Sequence, residues 1–307
     1  MVDILLTTYN GEKYLHSQID SIFAQTYTDW KIMIIDDCST DKTCSIIDEY
    51  INKYPGKIEF YKNNKNSGDP ASNFFKLLSM SKSEYVMFCD QDDVWLENKI
   101  DITINVMKNL ESKNEQLPVL VHTDLKVVDS KLNVLAESMF KYQKLDSNAK
   151  TLKEIIVQNN VTGCTVMLNR KLVSMCCNIP ENVIMHDWWV ALIAAAFGVV
   201  GFVNESTILY RQHESNQVGS KNACSILFLF NKFLHGGEIK KSILATYSQC
   251  EAFLGRYSRD LSLDQKSMLE SYLMVACGNK LKRIKRLLCG GFLKYGFVRK
   301  LGQIIYV

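Results

Sequence analysis

Asp90 and Asp92 stand two positions apart, directly after the apolar run Tyr85 to Cys89. If the extended backbone continues past Cys89, both side chains point to one face. Two carboxylates on one face repel unless a cation lies between them, and hard oxygen ligands suit Mg²⁺ or Mn²⁺ bridging to a diphosphate. The alternative is a solvated acidic loop in which Asp92 or Asp93 caps a helix. A second acidic pair, Asp36-Asp37, ends the run Trp30 to Ile35, and Thr7-Thr8-Tyr9-Asn10 ends the run that begins at Ile4. A carboxylate such as Asp37 at a strand end can accept the N3–H of uracil or thymine. It can equally cap the next helix, although Ser39 or Thr40 offers the same service. No GxGxxG opens a helix after the first run and no GxxxxGK[ST] occurs, which disfavours a dinucleotide fold and a P-loop. Phosphate would then be neutralised by a metal. Further along, Asp187 precedes Trp188 and Trp189, aromatics able to exclude water and stack on a sugar, or to join the core that begins at Val190.

These residues need elements to hold them. Ile4 to Thr8 reads as a strand, and Leu15, Ile19, Ile22 and Phe23 fall on one face of a helix. Trp30 to Ile35 is a second strand. Ser39, Thr40 and Asp41 offer a cap and a first-turn acid for a helix through Ile46, Ile47 and Tyr50. Ile58 to Tyr61, a polar loop from Asn63 to Pro70, a helix marked by Phe74, Leu77 and Leu78, and the strand Tyr85 to Cys89 follow. Such alternation predicts an α/β fold, a parallel sheet with helices on both faces, whose ligands bind beyond the carboxyl ends of the strands. Gly163 precedes another strand, Val166 to Leu168, where a glycine lets backbone approach a ligand. His122 and Asp124 follow the strand Val119 to Val121 and are candidates to line the site.

Composition sets the outer bounds. The 307 residues are 47% hydrophobic and 22% charged, and 15 Gly and 4 Pro leave little room for a disordered or collagenous chain. Ten cysteines without a CxxC pair read as buried thiols in a reducing compartment rather than a disulfide framework. The N-terminus has no basic, leader-like region, and the longest run without a polar side chain, Val190 to Val203, is 14 residues, fitting a buried helix and strand rather than a membrane span. A cytoplasmic protein is expected. Residues 1–220 carry 21 Lys and Arg against 28 Asp and Glu, whereas residues 221–307 carry 15 against 5. That shift predicts a domain over 1–220 followed by a basic, amphipathic helical region over 221–307.

Taken in order, Thr7-Thr8-Tyr9-Asn10-Gly11, Asp36-Asp37-Cys38-Ser39 and Asp90-Gln91-Asp92-Asp93-Val94-Trp95 resemble the motifs of family 2 glycosyltransferases with the GT-A fold. His122 to Asp129, Val161 to Thr165, Met185 to Trp189 and Tyr210 to His213 extend the resemblance toward bacterial rhamnosyltransferases of cell-wall and capsular polysaccharide synthesis. The resemblance implies a Rossmann-like, mostly parallel sheet plus a C-terminal helical segment. It implies that Thr7 and Asp37 hold the pyrimidine, that Asp90 contacts the sugar of the nucleotide, and that Asp92 ligates the metal with Asp93 assisting. Tyr9, Gly163 and Trp188 would complete the nucleotide-sugar site. Asp187 stands where the family has its catalytic base, and His213 where relatives supply a further metal or diphosphate ligand. Many members carry Glu-Asp where this chain has His186-Asp187.

Inverting transfer needs one base to deprotonate the acceptor hydroxyl and a cation for the departing diphosphate, with no covalent nucleophile. The implied cofactor is Mn²⁺ or Mg²⁺. The implied donor is dTDP-L-rhamnose or a UDP-hexose, which Asp37 cannot tell apart because uracil and thymine share N3–H. The implied acceptor is a glycan or lipid-linked glycan. A non-catalytic sugar-binding module is the rival, disfavoured because binding alone needs no base. Lys280 to Lys300 holds eight cations and no acid, interleaved with Leu281, Ile284, Leu287, Leu288, Phe292 and Phe297. This suits peripheral contact with the inner face of the cell membrane, or a helical cap whose cations face water; the acidic first part argues against nucleic acid.

Overall fold

The structure, a computed structural model, describes residues 1–176, 179–180, 183–213 and 236–307. Its first half alternates β1 (Val2–Thr8), α1 (Leu15–Phe23), β2 (Trp30–Asp36), α2 (Thr43–Lys53), β3 (Ile58–Lys62), α3 (Pro70–Met80) and β4 (Tyr85–Cys89). These four strands are parallel and lie side by side in the order β3-β2-β1-β4. Ile4, Leu5 and Leu6 of β1 are all fully buried, as both faces of a helix-covered parallel strand must be. The chain builds outward from β1 to β3 and then returns to the other side of β1 as β4. The reversal opens a crevice beyond the ends of β1 and β4, the usual place for a ligand in an open α/β sheet.

The second half comprises β5 (Val94–Trp95), α4 (Lys99–Lys113), β6 (Val119–Val128), β7 (Val134–Ala136), α5 (Met139–Gln143), α6 (Leu152–Val157), β8 (Met167–Asn169), α7 (Arg170–Met175), α8 (His186–Phe197) and β9 (Val199–Arg211). The sheet continues past β4 as β8-β6-β9-β5, with β7 on β6. Here short antiparallel pairs join a sheet that is mostly parallel: β6 and β9 run parallel, whereas β8 is antiparallel to both β4 and β6, and β5 is antiparallel to β9. β8 runs that way because the chain enters it from the short 3₁₀ turn Gly163–Thr165 with no helical crossover.

Local capping differs from the sequence expectation at α2. The helix starts at Thr43 after Lys42, whose side chain does not cap it, and the first N–H, that of Thr43, is taken by Asp41 Oδ1 at 2.9 Å. Ser39 and Thr40 are used instead to close the strand-end loops: Ser39 donates to Asp36, and the Thr40 N–H donates to Asn10 Oδ1. At α3, Pro70 fills the first turn and Asp69 accepts the N–H groups of Ala71 and Ser72.

Beyond the site lie α9 (Gly236–Tyr257), α10 (Leu263–Met274), α11 (Lys280–Cys289) and α12 (Phe297–Tyr306). They share the core of α6 to α8. Trp189 is fully buried with its ring 5.5 Å from Phe253, and Leu269, Tyr272, Leu287 and Phe292 extend the same cluster. The charge boundary near residue 220, and the apolar spacing of Ile226, Leu227, Phe230 and Phe233, lie outside the described residues. All described cysteines are free; Cys89, Cys164, Cys176 and Cys250 are buried as expected, whereas Cys277 and Cys289 are exposed. Among the described residues no helix is long and apolar enough to cross a membrane.

Candidate active site

A cavity of about 300 Å³ opens at the crevice beyond β1 and β4. Thr7, Tyr9, Asp37, Asp90 and Asp92 all line it. Tyr9 is held by a two-point clamp: its N–H donates to Gln91 Oε1 at 2.9 Å, and its carbonyl accepts from Gln91 Nε2 at 3.0 Å. The loops after β1 and β4 are therefore tied to each other. Asp37 is buried, and its carboxylate accepts the Ser67 N–H at 2.9 Å, the Ser67 hydroxyl at 2.8 Å and Asn63 Nδ2 at 2.7 Å. Burial pushes Asp37 upward, but these hydrogen bonds outweigh it and hold the carboxyl below its ordinary range. It remains an ionised acceptor at the floor of the cavity.

The second cluster surrounds the loop after β4. Asp92 Oδ2 and His213 Nε2 meet at 2.8 Å. Arg211, 4% exposed, fixes this geometry. Its N–H donates to Asp93 Oδ1, its Nε to the Asp92 carbonyl at 2.7 Å, and its two Nη groups to the Ser130 carbonyl and Ser17 Oγ. The guanidinium also lies 4.5 Å from the Tyr14 ring centre, and that ring is 4.9 Å from His213. One arginine thus ties the acidic loop to α1, to the β6–β7 turn and to the end of β9. Burial, then the charges of Asp92 and Asp187, raise Asp90 to about 7. Crowded carboxylates of this kind call for a cation.

Two donor sets are available for it. Asp90, Asp93 and Cys164 bring their ligand atoms within 4.8 Å of one another. However, Asp93 and Cys164 are buried, neither lines the cavity, and Asp93 Oδ1 is engaged by Arg211. Burial also raises the Cys164 thiol well above its ordinary range, and a thiol is a poor ligand for hard ions. Asp92 lines the cavity and His213 stands behind it at 2.8 Å without lining it, so this set offers one carboxylate oxygen on the cavity side and one imidazole nitrogen, donors that suit Mn²⁺.

Asp187 lies buried in the first turn of α8, directly after His186 and two positions after Met185; those two residues line the cavity and Asp187 sits behind them. Its Oδ2 accepts the Gly163 N–H at 3.0 Å, and its Oδ1 accepts Asn159 Nδ2 at 3.3 Å and the Trp188 N–H. Burial nevertheless pushes Asp187 up to about 6, against the pull of those hydrogen bonds. A carboxylate held in place, desolvated and poised near neutrality is suited to take a proton from a hydroxyl. Gly163 gives its N–H to this carboxylate and does not line the cavity, and a Cβ there would lie 2.9 Å from His186 Nε2 and 3.6 Å from Asp187 Cβ. Trp188 turns its indole N–H to the Ile155 carbonyl at 2.6 Å and does not line the cavity, and Trp189 is core.

The chain matches the model for glycosyl transferase family 2 over residues 3–173. It belongs to that family. The dTDP-rhamnosyl transferase RfbG of Shigella flexneri is 28% identical over 226 residues, spanning 70% of this chain and 74% of the relative. Among solved structures, the S. aureus protein TarS, crystallised with UDP-GlcNAc, superimposes with a TM-score of 0.59 at 16% identity over 94% of this chain and 80% of TarS. The mannosyltransferase PcManGT of Pyrobaculum calidifontis, crystallised with GDP-Man and Mn²⁺, gives 0.54 at 13% identity over 94% and 73%. The fold is GT-A.

Within this family 2 glycosyltransferase, two sequence candidates fall elsewhere. Asp124 accepts from Ser138 and from the Met139 and Phe140 N–H groups, so it caps α5, and it borders a separate hollow of about 540 Å³ with Ser138 and Tyr142. His122 is buried beside Phe140 and Phe202, and burial lowers it to about 3. Conversely, Ser67, Asn73, Phe74, His186 and Arg211 were not assigned from the sequence. His186 stacks on Phe74 at 4.0 Å with Phe88 edge-on at 4.8 Å, and burial lowers it to about 3, so it is a neutral wall. The polar loop Asn63 to Pro70 was the available signal for Ser67. The Tyr210-Arg211-Gln212-His213 run was the signal for Arg211.

Proposed function

We propose that this family 2 glycosyltransferase is an inverting, divalent-metal-dependent enzyme that transfers L-rhamnose from dTDP-L-rhamnose to a growing, lipid-linked cell-surface polysaccharide. The carrying observation is Asp187, a buried carboxylate raised to about 6 and braced by Gly163 and Asn159 beside the cavity wall. In this reading Asp37 accepts the pyrimidine N3–H, Thr7 and Tyr9 flank the base, and Asp90 meets the sugar end. Asp92 and His213 would hold Mn²⁺ or Mg²⁺, which supplies charge neutralisation for the diphosphate. Asp187 orients the acceptor hydroxyl and takes its proton onto a carboxylate oxygen as the hydroxyl attacks the anomeric carbon from the face opposite the leaving group.

The similarity to RfbG supports rhamnose and dTDP. The likeness to TarS and PcManGT supports a nucleotide-sugar donor and, for the latter, Mn²⁺. A UDP-hexose donor is the second reading, favoured by the UDP-GlcNAc complex of TarS. The test is release of nucleoside diphosphate from dTDP-L-rhamnose, with Mn²⁺ or a chelator and a lipid-linked glycan acceptor. Release that needs both metal and acceptor supports the proposal. Release from UDP-hexoses alone replaces the donor, and release from no nucleotide sugar refutes the reading.

A further inference from the structure

The last two helices turn outward residues that water alone would not favour. On α11, Leu287 is buried and Ile284 packs beside it. Leu281, Lys285 and Leu288 stand at i, i+4 and i+7 on an outer face, with Leu281 79% and Leu288 49% exposed. On α12, Phe297, Lys300 and Leu301 form a matching exposed set at i, i+3 and i+4, Phe297 being 80% exposed.

The charges divide by residue type. Arg283 donates to the Gly278 carbonyl, Arg286 to the Met274 and Cys277 carbonyls, and Arg299 to the Gln143 and Lys144 carbonyls. These guanidinium groups brace the fold. The outward charge belongs to Lys280, Lys282, Lys285 and Lys300, all exposed, and the sequence has no acid after Glu270. Gln303 of α12 ties that helix to the segment that follows α11, donating to the Phe292 carbonyl and accepting the Lys294 N–H.

We propose that this α11–α12 face docks on an anionic lipid bilayer, its lysines meeting headgroup phosphates while Leu281, Leu288 and Phe297 enter the headgroup–acyl boundary. Lysines beside exposed leucine and phenylalanine, with no acid among them, match such a surface in both charge and polarity. A second copy of the chain would set like charges against each other across the same face. The face is also tied to the active site: the Tyr295 N–H donates to Gln158 Oε1 at 2.9 Å, and the next residue, Asn159, donates to Asp187. Docking would therefore bring a lipid-linked acceptor to the base. That last clause rests on the transferase reading, whereas bilayer binding does not.

The test is co-sedimentation of the full chain with phosphatidylcholine vesicles, alone or containing about one third phosphatidylglycerol. Binding is expected only with phosphatidylglycerol and is expected to weaken with salt. Lys280→Gln, Lys282→Gln, Lys285→Gln and Lys300→Gln together should lower partitioning roughly 30-fold or more. Leu281→Ser with Phe297→Ser should lower it roughly tenfold or more. Both variants should keep the parent's melting temperature and its turnover of a water-soluble acceptor. Absence of binding to anionic vesicles, or binding indifferent to both variants, would overturn the proposal. So would a concentration-dependent dimer that both variants dissociate. Bilayer binding by a chain that turns over no nucleotide sugar would sustain this surface and remove the transferase reading instead.

Discussion

Asparagine at position 187 separates the charge of that carboxylate from its shape. The folded protein raises Asp187 from its ordinary 3.8 to about 6. At about 1.4 kcal/mol per unit, ionising this buried group opposes folding by about 3 kcal/mol at pH 8. The sign follows from the raised value: the folded state binds the proton more tightly, so the penalty is full above pH 6 and fades as the pH falls toward 3.8. By pH 5 about half of it is gone. An amide removes the charge but keeps only one acceptor oxygen for Gly163, Asn159 and Trp188, which costs about 1–2 kcal/mol. The Asp187→Asn variant should therefore be at least as stable as the parent at pH 8 and lose that advantage at pH 5. Transfer should fall by roughly 10²–10⁴-fold while donor binding persists. Urea unfolding at the two pH values, paired with initial rates, measures both effects. A stability difference that is the same at pH 5 and pH 8, or turnover near the parent's, would refute the assignment of a desolvated base.

Asp92→Asn should abolish Mn²⁺-dependent donor binding in calorimetry, because a neutral amide does not offset a divalent charge, and His213→Ala should weaken it less. Arg211→Ala removes the post between α1, the acidic loop and β9, and should cost about 3 kcal/mol or more in chemical denaturation. Gly163→Ala drives a methyl against His186 and Asp187, and should lower kcat roughly 10–100-fold with little change in donor affinity in a steady-state assay. The parent's own rate should fall as the pH drops below about 6, where Asp187 takes up its proton, and a pH–rate profile checks this.

Strand ends were the legible part of this protein. Apolar runs that stop at Thr7, Asp37 and Asp90 announce both a sheet and the edge where its cavity opens, because burial and chemistry change type at the same residue. What was not legible depends on partners far away along the chain. Asp37 is held by Ser67, thirty positions on, so the loop from Asn63 to Pro70 reads only as polar. His186 is neutral because Phe74 and Phe88 enclose it, and nothing local to His186 says so. Asp124 looked available beside its strand until α5 folded back onto it. Trp188 and Trp189 look alike in sequence, yet α8 turns one toward Ile155 and the other into the core. The last two helices show the same limit: their arginines and lysines carry equal charge, but Arg283, Arg286 and Arg299 bond backbone carbonyls, whereas Lys280, Lys282, Lys285 and Lys300 stand exposed.

The claim that this cavity binds a nucleotide sugar through Asp37 and a metal at Asp92 and His213 is tested most directly by thermal shift across a donor panel. The panel is dTDP-L-rhamnose, UDP-glucose, UDP-galactose and UDP-GlcNAc, each with Mn²⁺ and with chelator. At about 100-fold over Kd, a donor that fits should add about 2.7 kcal/mol of stability, a rise of roughly 5 °C for a chain of this size. The account predicts that rise with dTDP-L-rhamnose and Mn²⁺, smaller shifts with the UDP sugars, and loss of the rise on chelation and in Asp92→Asn. No shift with any of the four donors, or a shift indifferent to chelator and to Asp92→Asn, would contradict it.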